Sequence, residues 1–200
     1  MIIDTLANFA TGTISHLGYW GVFFLMALES ACIPIPSEVI MPFAGFLVSS
    51  GQFGFVAVVI VGSLGNMAGS FLAFWAGYRG GRPLIEKYGK YILLSQKDLD
   101  SSDKFFKKYG DSTVFFARLL PVVRTFISLP AGISKMSVKK FSIYTLAGVI
   151  PFTALLTWAG VILRQNWENL RTYFHRFDLI IGLAIILLTI WYIIRHLKRR

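Results

Sequence analysis

The chain has 200 residues, 55% of them hydrophobic and 15% charged, with a mean hydropathy of +0.62. That balance excludes a soluble globular domain and defines a multi-pass membrane protein. The net charge of +10 would suit nucleic acid in a soluble chain, but these basic residues flank apolar runs, so no nucleic-acid partner is expected.

The N-terminal stretch MIIDTLANFATGTISHLG carries no Lys or Arg and no cleavage site after an apolar core, so it reads as a short interfacial helix rather than a removable signal peptide. Tyr19 to Ser50 is a single apolar region cut by Pro34-Ile35-Pro36. Its 32 residues are too few for two crossings of about 20 residues each. A re-entrant pair of half-helices fits instead, because broken backbone at membrane depth is tolerated where protein surrounds it. Phe53 to Tyr78 is long enough to span. Arg82 to Gly110 is too charged to span but keeps a set of apolar residues, and Ser95-x-x-Asp98 within it resembles a capping box. An amphipathic interfacial segment is expected there. Thr113 to Ile133 is a second short apolar region, cut by Pro121 and Pro130, and is also expected to be re-entrant. Phe141 to Leu163 and Leu179 to Ile194 complete the spans, the last at the lower limit of length.

Charge placement supports this layout. With the Arg79 to Gly110 stretch in the cytoplasm, fifteen of the 20 Lys and Arg lie on the cytoplasmic side. Arg164, Arg171 and Arg176 lie outside, and Arg118 and Arg124 fall within the membrane. The positive-inside rule then gives an outer N-terminus and a cytoplasmic C-terminus. The alternative, a single crossing by Tyr19 to Ser50, would put the N-terminus inside and leave everything downstream unchanged.

The two halves resemble each other. Leu17-Gly18-Tyr19-Trp20-Gly21-Val22-Phe23-Phe24 aligns with Tyr109-Gly110-Asp111-Ser112-Thr113-Val114-Phe115-Phe116. Pro42-Phe43-Ala44-Gly45 answers Pro130-Ala131-Gly132, and Gly65 and Gly77 answer Gly148 and Gly160. The fold class expected is an all-α polytopic membrane protein of two inverted repeats, each a re-entrant broken-helix hairpin followed by a transmembrane helix. Repeat one covers about 17–80, an amphipathic cytoplasmic segment about 81–110 and repeat two about 111–164. A C-terminal transmembrane helix at about 178–195 follows.

Four charges stand inside the apolar stretches, where each costs roughly 2.5 to 3.5 kcal/mol on insertion scales. Glu29 precedes the Pro34-Ile35-Pro36 break and Glu38 follows it, with Ser37 placed to cap the following half-helix. Burial disfavours a charged carboxyl, which makes either glutamate a candidate proton carrier; the alternative is simple neutralisation of an arginine. Arg118 and Arg124 flank Pro121, six residues apart, and a break there can bring together guanidiniums that an unbroken helix would hold on different faces. Two arginines converging on a helix N-terminus suit a phosphate or carboxylate; the alternative is salt bridging to Glu29 and Glu38 alone. The small-residue face at Gly62, Gly65, Gly69 and Gly77, with Ser70, reads as helix packing. Cys32 is the single cysteine, and His16, His175 and His196 lie at segment ends, so no metal site or cofactor is expected. Trp20, Trp158, Trp167 and Trp191 suit the interfacial belts.

Taken together, Glu29 with Pro34-Ile35-Pro36-Ser37-Glu38, the Gly77-Tyr78-Arg79-Gly80-Gly81 helix end, Phe116-Ala117-Arg118-Leu119-Leu120-Pro121-Val122-Val123-Arg124 and Pro130-Ala131-Gly132-Ile133-Ser134-Lys135-Met136 resemble the DedA family, also called the VTT-domain or SNARE-associated family. The resemblance covers nearly the whole chain and implies a bacterial cytoplasmic membrane protein with two opposed re-entrant hairpins. Its members include undecaprenyl phosphate flippases, a phosphatidylethanolamine transporter and eukaryotic lipid scramblases. It implies functional roles for Glu29, Glu38, Arg118 and Arg124, although some relatives carry aspartate where position 38 is glutamate. The expected function is proton-dependent translocation of undecaprenyl phosphate or a related phospholipid, with protons and a membrane lipid as partners and a homo-oligomer allowed for. Arg118 and Arg124 would bind the phosphate while Glu29 and Glu38 couple protons or gate access. A phosphatidylethanolamine transporter or scramblase, or a proton-coupled solute transporter, is the alternative. An enzyme is not expected, because no buried nucleophile and base are paired.

Overall fold

A computed structural model of the chain describes residues 2–31, 33, 35–92, 110–120 and 123–163. Every regular element among them is helical, as the hydropathy pattern requires. Helices α1 (Ile2–Leu17), α2 (Tyr19–Ser30), α3 (Ser37–Ser49) and α4 (Phe55–Ile92) come first. After them stand α5 (Thr113–Arg118), α6 (Val123–Phe126), α7 (Ser128–Ile133) and α8 (Val138–Ile162).

Glycine and proline set the joints. Gly18 between α1 and α2 has φ of 60°, and Gly110 just before α5 has φ of 72°, the left-handed region where a side chain is strained. The first expected break is present. α2 ends at Ser30, Pro36 is extended with φ of −75° and ψ of 117°, and α3 starts at Ser37. Ser37 is therefore the first residue of α3 rather than its cap, and its hydroxyl donates to Glu38 Oε2 at 3.3 Å.

The second apolar stretch departs from expectation at Pro130. This proline does not cut the chain but occupies the third position of α7, where a helix has no use for the N–H that proline lacks. Pro42 and Pro151 are likewise carried inside α3 and α8.

Among the described residues, two helices are apolar and long enough to cross a bilayer, over Phe55–Gly80 and Val138–Ile162. At 1.5 Å per residue each covers about 37–39 Å, more than a hydrocarbon core of about 30 Å. The first was expected to stop at Tyr78, with a separate element beyond Arg82. Instead α4 runs unbroken through Gly80, Gly81, Arg82 and Pro83 to Ile92. Glycine lowers helix propensity by about 1 kcal/mol without ending a helix, and one proline removes a single backbone bond. Cys32, the Ser95-x-x-Asp98 box, the span at Leu179 to Ile194, and Arg164, Arg171, Arg176, Trp167, Trp191, His175 and His196 lie outside the described residues.

The two long helices bury polar side chains and expose large apolar ones. Ser63, Asn66 and Ser70 of α4 and Thr145, Thr153 and Thr157 of α8 are buried, whereas Ile60, Leu64, Leu72, Ile150, Leu155 and Trp158 are exposed. Ser63 and Thr153 hydroxyls join the two helices at 3.0 Å. Water would penalise such an arrangement, while lipid favours it, since hydrocarbon solvates the outer side chains and buried hydroxyls pair with one another.

Glycines allow the close contacts that fix the layout. α2 lies on α4, where a Cβ on Gly65 would strike the Phe23 carbonyl and one on Gly69 the Ala27 carbonyl. α5 lies on α8, with Gly148 against Phe115 and Arg118. α3 packs on α8 through Gly45 against Thr157 and Gly160 against Pro42; α7 packs on α4 through Gly132 against Phe74 and Gly77 against Leu129. One apolar cluster is built on Ile14, Leu25, Met26, Ile40 and Met41, and Ala10 and Ile14 bring α1 into it. A second contains Phe74, Val114, Ala131 and Phe141, with the Phe74 and Phe141 rings stacked at 4.4 Å.

Candidate functional site

Arg118 closes α5, Arg124 lies in α6, Glu29 is one residue from the end of α2 and Glu38 is in the first turn of α3. The two chain breaks therefore carry all four ionisable groups, and burial is deep for three of them: Arg118 is 1% exposed, Arg124 3% and Glu29 4%. Such burial is tolerable only with partners. Arg124 Nη2 donates to Glu29 Oε1 at 2.5 Å and lies 3.8 Å from Glu38 Oε1. The Glu38 side chain is 37% exposed. One arginine thus faces both glutamates, a tight buried pair on one side and a longer, wetter contact on the other. The second oxygen of Glu29 accepts from Ser30 at 3.4 Å.

Arg118 is held differently. Its Nη1 donates to the Arg124 carbonyl oxygen at 2.7 Å, and its Nη2 donates to Ser70 Oγ at 2.9 Å and to Ser128 Oγ at 2.6 Å. Ser70 in turn donates to Asn66 Oδ1 at 3.3 Å. The guanidinium joins α4 to α6 and α7 and pins the backbone that carries Arg124. Convergence of both arginines on a helix N-terminus is met only in part. Arg124 occupies a first turn, whereas Arg118 ends its helix and reaches across to the Arg124 backbone.

Aromatic rings complete the surroundings. The Arg124 guanidinium carbon lies 4.2 Å from the centre of the Phe152 ring, and that of Arg118 lies 6.0 Å from Phe141. The charges of Glu29, Glu38, Arg118 and Arg124 cancel, so an anion entering the site must displace a carboxylate or meet a protonated one. Ser70, Asn66, Ser128 and Phe152 were not singled out for chemistry in the sequence. The signal available for two of them was the Asn66-x-x-x-Ser70 spacing, which puts two polar groups one turn apart on one face of an otherwise apolar helix.

Lipid-facing helices around a buried, mutually compensated charge cluster define an integral membrane protein with a polar site inside its helix bundle. Comparison with known proteins identifies the family. The VTT domain matches residues 35–162, and the chain belongs to the VTT-domain, or DedA, family. It is 40% identical to the uncharacterized membrane protein YkoX of Bacillus subtilis, over 92% of this chain and 81% of that protein. It is 34% identical to undecaprenyl phosphate transporter A of Bacillus subtilis, over 91% and 90% of the two chains. It is also 31% identical to an alkaline phosphatase-like protein of Lactococcus lactis, over 94% of this chain and 90% of that protein. No solved structure matches.

Proposed function

We propose that the chain is a proton-dependent flippase that returns undecaprenyl phosphate, or a related phospholipid, across the bacterial cytoplasmic membrane. The observation that carries this reading is the buried Arg124–Glu29 pair at 2.5 Å with Glu38 at 3.8 Å. A phosphate oxygen can take the place of the Glu29 carboxylate on Arg124, since both offer the same forked acceptor geometry to a guanidinium. Protonation of the displaced carboxyl keeps the site neutral, which links phosphate entry to proton uptake. Arg118 adds the second positive charge and fixes the Arg124 backbone, and Glu38, partly exposed, is the route by which a proton reaches Glu29. The apolar tail stays in lipid beside the exposed faces of α4 and α8. The transporter name of a relative that matches over nine-tenths of its length supports the substrate class.

Alternating access follows from an inverted repeat, in which each half is a re-entrant hairpin followed by a spanning helix. Matched contacts support it. Gly18 and Gly110, equivalent in the two halves, share a positive φ. Gly65 meets Phe23 as Gly148 meets Phe115, and Gly77 meets Leu129 as Gly160 meets Pro42. The first half-helix of each hairpin lies on its own long helix and the second on that of the other half. In this layout repeat one covers about 17–80 and repeat two about 111–164, with the C-terminus cytoplasmic.

The test is translocation of fluorescently labelled undecaprenyl phosphate in proteoliposomes with and without an imposed pH gradient. Wild type moves the lipid faster with the gradient, while Arg124→Ala and Arg118→Ala lose movement yet remain monodisperse in detergent. Unchanged translocation by both variants refutes the site. Release of inorganic phosphate instead of movement identifies a hydrolase.

A further inference from the structure

We infer that Phe152 is a positioning residue for the anion site, holding the Arg124 guanidinium in the plane that lets one edge of it receive a phosphate. The inference rests on the flippase reading for the identity of the anion. The Arg124 guanidinium carbon lies over the Phe152 ring, 4.2 Å from its centre. Its Nη2 serves Glu29 and Glu38, and its Nε, although buried, has no hydrogen-bond partner among the described residues. Nε and Nη2 share the edge through which a guanidinium grips an oxyanion side-on with two parallel bonds. Glu29 Oε1 thus uses one half of that edge and leaves the other half unfilled. A phosphate with two non-bridging oxygens fills both halves, which gives it a bond that the resident carboxylate does not make.

Phe152 makes this exchange possible. When Glu29 leaves, buried Arg124 keeps only the longer 3.8 Å contact to Glu38. The ring attracts the cation through its face and competes for none of the five N–H donors. It comes from α8, whereas Arg124 comes from α6, so the contact ties the guanidinium to a second helix. Aliphatic side chains of similar volume fill the same space without that attraction.

The experiment uses purified protein in detergent titrated with nitrobenzoxadiazole-labelled undecaprenyl phosphate by fluorescence anisotropy, followed by translocation of the same probe in proteoliposomes. Phe152→Leu is expected to bind about 2- to 30-fold more weakly, the range that corresponds to loss of one cation–π contact. Phe152→Tyr, which keeps the ring, is expected to bind as wild type does. Equal binding by wild type and Phe152→Leu overturns the inference, and so does a loss in Phe152→Tyr as large as that in Phe152→Leu, because the ring would then not be the active feature. Wild-type binding with the expected pattern but no translocation supports Phe152 and overturns flipping alone. A wild type that does not bind the probe overturns both.

Discussion

Replacing Glu29 and Glu38 in turn by glutamine separates the two carboxylates that Arg124 faces. Glu29 and Arg124 form a pair at 2.5 Å with side chains 6% and 4% exposed, whereas Glu38 stands at 3.8 Å and is 37% exposed. Removing one partner of a buried pair costs about 3–5 kcal/mol, because the remaining ion is left uncompensated, while an exposed pair contributes about 0–1 kcal/mol. Glu29→Gln should therefore lower the folding equilibrium by roughly 10²- to 10⁴-fold, at about 1.4 kcal/mol per factor of ten. Glu38→Gln should change it by less than about tenfold. Because the penalty belongs to the orphaned cation, Glu29→Gln/Arg124→Gln should recover most of the loss, which a double-mutant cycle reads as a large favourable coupling. The assay is the melting temperature of detergent-solubilised protein by fluorescence-detected gel filtration, run at one pH on wild type, Glu29→Gln, Glu38→Gln, Arg124→Gln and Glu29→Gln/Arg124→Gln. Equal destabilisation by Glu29→Gln and Glu38→Gln, or a double variant as unstable as the two single effects added, would refute the asymmetry.

Two further outcomes test the packing and the brace. Gly160→Val sets a Cβ into the Pro42 carbonyl, with backbone on both sides of the clash, and should cost at least about 1–3 kcal/mol; Gly12→Ala in α1 meets nothing within 4 Å and should be neutral or stabilising by up to about 1 kcal/mol, both read as shifts in melting temperature. Ser70→Ala removes one of two hydroxyl acceptors from Arg118 Nη2 and should cost about 1.5 kcal/mol, the low end for a bond to a charged group. Ser70→Ala/Ser128→Ala should then lose more than the two singles together, checked in the same melting assay.

The extent of the helices was legible wherever hydropathy controls length. A bilayer demands about 20 apolar residues for a crossing, so Phe55–Gly80 and Val138–Ile162 follow from composition within a few residues, and the break at Pro34-Ile35-Pro36 follows from the geometry of proline. The end of α4 was not legible. Gly80, Gly81 and Pro83 are local stop signals, but a helix carries its backbone bonds past them when no competing structure satisfies those groups better, and α4 continues to Ile92. Pro130 misled for the related reason that a proline interrupts a helix only beyond its first turn, and its position in that turn depends on where α7 begins.

For the site, the charges announced themselves because apolar surroundings make them costly, and the six-residue spacing of Arg118 and Arg124 showed only that a break was needed to bring them together. Their unequal duties could not be read from that spacing. An arginine is a brace or an anion contact according to which acceptors surround it, and those come from elsewhere in the fold: Ser70 is 48 residues from Arg118, and Glu29 is 95 residues from Arg124. Ser70 was hidden for a further reason. A hydroxyl in an apolar helix ordinarily bonds back to the carbonyl one turn earlier, as Thr157 does to Thr153 at 2.7 Å and Ser142 to Val138 at 2.8 Å. Ser70 instead donates to the Asn66 side chain and accepts from Arg118. The Asn66-x-x-x-Ser70 spacing marks a polar pair on one face of α4 but not its partner, so what makes Arg118 a brace is visible only once α4, α5 and α7 have been brought together.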